Sequence, residues 1–141
     1  MELEDAVRII RAHVESKFPK TCGTCGRVFA TLSEYVHETT PVGQPVSYDA
    51  VAQDWAPTDP IGTYTLVLCP CGTSLAIDSG GMKLLTLWRL MRFARKETQR
   101  TGETVSALLQ RIRGEIHRRV REEAAARATS GARDSLETSK R

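Results

Sequence analysis

The sequence predicts an α+β protein: a small antiparallel β module flanked by an N-terminal amphipathic helix and two C-terminal helices. Three observations predict it. Apolar residues recur at helical spacing from Leu3 to Val14. Two runs rich in β-branched and apolar residues, 63–68 and 73–77, flank a Cys69-Pro70-Cys71-Gly72 turn. From Met82 onward the helical period returns, first dense and then as a single stripe.

The first helix is expected over residues 2–18. Leu3, Val7, Ile10 and Val14 make its apolar face, and Glu2, Glu4 and Asp5 sit in the first turn, where carboxylates complement the helix dipole. Pro19 ends it, because a residue preceding proline is pushed out of the helical region. The β module is expected over 20–78, opening with a cysteine-glycine turn that leads into a short strand at Val28-Phe29. Residues 39–62 hold Pro41, Pro45, Pro57 and Pro60 without periodicity and read as a long, packed functional loop. Helices follow at 82–100 and 103–127, separated by Thr101-Gly102. The density of Leu84, Leu85, Leu87, Trp88, Leu90, Met91 and Phe93 implies burial of the first on more than one side. On the second, Val105, Leu109, Ile112 and Ile116 form a seam fit for the N-terminal helix or for another copy. Residues 128–141 offer no face to bury and are expected to be a disordered tail, leaving 1–127 as a single domain.

Composition bounds the function. With 141 residues, 40% apolar and 26% charged, the chain reads as a small globular protein. It lacks an apolar run long enough to span a bilayer, and its acidic N-terminus is unlike a secretory signal, so a cytoplasmic protein without a membrane partner is expected. The net charge of +3 conceals segregation: residues 1–81 carry −5, residues 82–121 carry +8, and the remainder is neutral.

The cysteines carry the most specific signal. Cys22 and Cys25 are separated by two residues, and Cys69 and Cys71 by one. Two close pairs of thiolates, each on a tight turn, are what a tetrahedral metal site requires. Gly26 and Gly72 follow the pairs, where a Cβ is expected to obstruct the turn. At Cys22-Gly23-Thr24-Cys25-Gly26 and Cys69-Pro70-Cys71-Gly72 the chain resembles zinc-ribbon proteins, with Phe29 where such ribbons place an aromatic. That resemblance implies four structural cysteine ligands to Zn2+. The C-x-C pair is shorter than usual, and His37 is the alternative ligand if one sulfur falls short. An iron–sulfur cluster accepts the same donors.

The basic residues give a second signal. Arg89, Arg92, Lys96 and Arg100 fall at spacings of 3, 4 and 4, a stripe along one helix face that would suit phosphates. No catalytic constellation is evident. His13 and His117 read as surface residues, and Ser79-Gly80-Gly81 is either a cap or an anion-binding turn. The primary functional reading is a non-enzymatic, zinc-binding regulatory or adaptor protein with helices that contact a protein partner or a second copy. A nucleic-acid-binding regulator using the basic stripe is the alternative, and a thiol-redox or metal sensor is the third.

Overall fold

The computed structural model describes residues 1–48 and 62–139. In chain order the elements are α1 (Leu3–Glu15), β1 (Lys20–Thr21), β2 (Val28–Phe29), α2 (Leu32–Glu38), β3 (Thr40–Tyr48), β4 (Gly62–Leu68), β5 (Ser74–Asp78), α3 (Leu84–Thr101) and α4 (Val105–Ser139). The class is α+β, with the β module between helices as predicted. The strands form two separate antiparallel sheets, β1-β2 and β3-β4-β5.

Helix α1 begins where the Asp5 carboxylate accepts the Glu2 backbone N–H at 2.9 Å, and it stops before Pro19. Ala6 and Val7 are buried. Two long-range ion pairs tie its outer edge to α4: Arg11 Nη1 donates to Glu123 at 2.8 Å, and Arg119 Nη1 to Glu4 at 2.7 Å.

Helix α2 is not anticipated by the sequence pattern. Thr31 caps its start, its Oγ1 accepting the Glu34 N–H at 3.2 Å, and the Glu34 carboxylate accepts the N–H of Ala30, the residue before the cap, at 2.8 Å. It buries Leu32, Tyr35 and Val36, and the Tyr35 ring meets Phe18 and Phe29 edge-on at 5.3 and 5.5 Å.

The expected loop over 39–62 begins instead as strand β3, paired with β4 from Thr40↔Leu68 to Tyr48↔Gly62. Its prolines are tolerated because β3 is an edge strand, and the register shifts between Val42 and Val46, where Gly43 has φ +63°. Residues 49–61 of that segment lie outside the described residues. Strands β4 and β5 form the predicted hairpin with Cys69–Gly72 as its turn, and β5 alternates Leu75 and Ile77 inward.

Helix α4 spends its stripe inside the chain. Leu108, Ile112, Ile116 and Val120 recur every fourth residue and are buried against β3, α1, α2 and α3. Of the predicted seam, Ile112 and Ile116 are buried within the chain, and Val105 and Leu109 are half-buried. Burial ends near Val120, but the helix runs to Ser139, past the boundary expected at Arg127. An apolar face is what the sequence pattern detects, whereas the alanine-rich run 124–128 sustains a solvated helix by propensity.

Helix α3 contradicts expectation more sharply. Only Phe93 and Ala94 are buried, while Leu84, Leu85 and Trp88 are 81%, 60% and 51% exposed. Apolar density there goes with an exposed face among the described residues rather than with burial on two sides.

Between the larger sheet and the helices lies an apolar cavity of about 150 Å³, lined in part by Ile10, Ile77, Leu90, Leu109, Arg113 and His117. His117 is thus half-buried rather than the surface residue expected; burial, reinforced by Arg113 and Arg121, pushes its pKa down to about 4. His13 Nε2 donates to the Asp78 carbonyl at 3.0 Å.

Candidate metal centre

Each cysteine pair sits on a turn that the backbone closes in the same way. In the β1–β2 turn, the Cys22 N–H donates to the Arg27 carbonyl and the Gly26 N–H to the Cys22 carbonyl, both at 2.9 Å. In the β4–β5 turn, the Cys69 N–H donates to Thr73 at 2.9 Å and the Gly72 N–H to Cys69 at 2.8 Å. Gly26 and Gly72 have φ of +76° and +91°, left-handed values that side chains oppose. A Cβ at either glycine would meet nothing within 4 Å. The glycines are there for backbone dihedral freedom, and the obstruction expected from the sequence is not present.

The turns bring four sulfurs together. Cys22 and Cys71 Sγ are 3.8 Å apart, Cys25 and Cys69 Sγ are 3.7 Å apart, and all four lie within 4.8 Å of one another. These separations far exceed the roughly 2.05 Å of a disulfide. The short C-x-C pair delivers both of its sulfurs. His37 lies outside the group, donating Nδ1–H to the Ser33 carbonyl at 2.7 Å on α2. Cys22 and Cys69 are buried, and Cys25 and Cys71 are exposed.

Local donors prepare part of the cluster for negative charge. The Cys71 thiol is lowered to about 6, chiefly by the Thr73 hydroxyl, 3.2 Å from its sulfur, and then by the Thr73 N–H. Backbone N–H groups of Cys25 and Thr24 lower Cys22. Around Cys69 the Cys71 N–H acts in the same sense, but burial and the other three thiols outweigh it and push Cys69 up to about 12. Thr73 is the residue that sequence reasoning missed; its position two residues after Cys71 is the signal that marked it. Four sulfurs converging at this spacing could hold a metal ion. An all-sulfur donor set suits thiolate-preferring ions and disfavours calcium or magnesium.

The remaining candidate residues lie elsewhere. Arg100 is held by Glu97 at 2.6 Å, whereas Arg89, Arg92 and Lys96 make no ion pair among the described residues. In the Ser79-Gly80-Gly81 turn, the Asp78 carboxylate accepts the Gly80 N–H at 2.9 Å and Lys17 Nζ reaches the Gly80 carbonyl, so the chain's own groups fill it. Among the described residues no helix is long and apolar enough to cross a membrane. No known protein family, curated protein or solved structure matches the chain.

Proposed function

We propose that Cys22, Cys25, Cys69 and Cys71 hold one structural zinc ion, and that the protein is a non-enzymatic regulatory or adaptor protein acting through its helical surface. The carrying observation is the sulfur geometry. A tetrahedral ion with Zn–S bonds of about 2.3 Å has sulfur–sulfur edges of about 3.8 Å, and the facing pairs stand at 3.8 and 3.7 Å. An iron–sulfur cluster distributes its thiolates over several irons and spreads them wider, so the close spacing favours a single ion.

The ion's role follows from topology. The two sheets share no strand pairing, and one cysteine pair lies on a turn of each. A metal bound by both pairs clasps the sheets where hydrogen bonds do not. Four protein ligands fill a tetrahedral site and leave no position for water or substrate, which makes the ion a structural element. Reduced thiolates of this kind suit a cytoplasmic setting.

Elemental analysis of the purified chain tests the proposal. One zinc per chain, retained through dialysis and released by thiol modification, is the expected result. Iron with sulfide, or no bound metal, would overturn it.

A further inference from the structure

Some basic residues of α3 and α4 are held by carboxylates and others are not. On α4, Arg111 contacts Glu103 at 2.6 Å, Arg118 contacts Glu122 at 2.7 Å, and Arg119 contacts Glu4 at 2.6 Å. On α3, Arg89, Arg92 and Lys96 are exposed and have no carboxylate partner among the described residues. The acid of α3, Glu97, is turned to Arg100 and Arg111 at 2.6 and 3.3 Å.

These free cations border the exposed apolar residues Leu84, Leu85 and Trp88. Successive residues four apart adjoin on a helix, so Leu84–Trp88–Arg92–Lys96 forms one ridge, with Leu85 and Arg89 beside it. The Arg92 guanidinium lies 4.8 Å from the Trp88 ring centroid, which steadies the indole on the surface. Lys83 provides no side-chain cap, so the first turn of α3 presents its amides and positive dipole end.

We propose that this face docks an acidic amphipathic helix of another protein. Its apolar side chains would cover Leu84, Leu85 and Trp88, and its flanking carboxylates would pair with Arg89, Arg92 and Lys96. A second copy of the chain fits poorly, since a two-fold pairing sets the same cations against one another without an acid between them. Nucleic acid fits less well than a peptide: the end of the face is aliphatic, and Arg92 already occupies the Trp88 ring. The inference deepens the adaptor reading and rests on it for the kind of partner, but it does not depend on which metal is bound.

The test is selection from an unbiased library of random peptides displayed on phage, using the full metal-loaded chain, with counter-selection on an Arg89→Glu/Arg92→Glu chain. Enriched peptides should be acidic, with aliphatic or aromatic residues at helical spacing. They should bind Trp88→Ala and Arg92→Glu chains at least about tenfold more weakly. Both variants change exposed side chains, and each is checked for wild-type metal content and circular dichroism. Failure to enrich peptides, enrichment of neutral or basic ones, or indifference to Trp88 overturns the inference. So does wild-type dimerisation that Trp88→Ala abolishes, or tighter binding to duplex DNA or phosphatidylserine vesicles than to any selected peptide. A chain that keeps one zinc and its fold while failing this test leaves the metal proposal standing.

Discussion

The β1–β2 hairpin and the α1–α2–α4 layer show two ways of holding a small protein together. The hairpin has strands of two residues each and buries little beyond Cys22 and Phe29. The helical layer buries Val7, Leu32, Val36, Leu108, Ile112, Ile116 and Val120 in a continuous core. Apolar burial of that kind stabilises by roughly 1.5–3 kcal/mol per large side chain. The hairpin adds only Cys22 and Phe29 to that same core, and its two-residue strands supply little pairing of their own, so the sulfur cluster is the other contact that ties it to the rest of the chain.

Removing a sulfur ligand should affect the hairpin far more than the helical layer. Cys71→Ser should lose the metal and the cooperative fold of the β module, because structural zinc contributes about 10–16 kcal/mol in small zinc-binding peptides, as much as the whole stability of a typical domain. Metal content and thermal melting check this; a variant with both unchanged would contradict it. Ile112→Ala acts on the other region. It should lower stability by about 2–5 kcal/mol through lost packing, with one metal still bound, as denaturant titration and elemental analysis together would show.

Acid separates the regions in another way. His117 is held neutral, with a folded pKa of about 4 against an ordinary value of 6.5. Its contribution is complete above pH 6.5 and is lost as the pH falls toward 4, since the unfolded chain takes up the proton first. Melting curves across that window should therefore be steeper in pH for the wild type than for His117→Leu. Glu115, lowered to about 2 by hydrogen bonds from Arg118 and Arg119, keeps its charge until the pH is lower still.

The smallest effects come from two glycines. Gly72→Ala places a side chain at φ +91° beside the cysteines and should cost about 1–2 kcal/mol. Gly114→Ala, in the interior of α4 with open space around the new methyl, should stabilise by about 0.5–1 kcal/mol. Opposite signs for one substitution, read by chemical denaturation, would sharpen the contrast between turn and helix.

What the sequence disclosed follows the same division. The cysteine spacing led directly to the sulfur cluster, since two short-range thiol pairs on separate turns match the donor set of one shared ion. The α1 face and the β4–β5 hairpin were legible because each follows one period for several residues. Helix α2 was not, because seven residues are too few for a period, although Thr31 and Glu34 mark its start. Strand β3 was hidden by Pro41 and Pro45, which local propensity penalises and an edge position permits. The exposure of Leu84, Leu85 and Trp88 was illegible in principle: apolar residues look alike in sequence whether the chain itself or another molecule covers them.

In the proposed centre four sulfurs bind one ion. X-ray absorption at the zinc edge of the purified chain tests it most directly. A single shell of four sulfur neighbours at about 2.3 Å is the predicted result. Fewer than four sulfurs, or nitrogen and oxygen in their place, would contradict it.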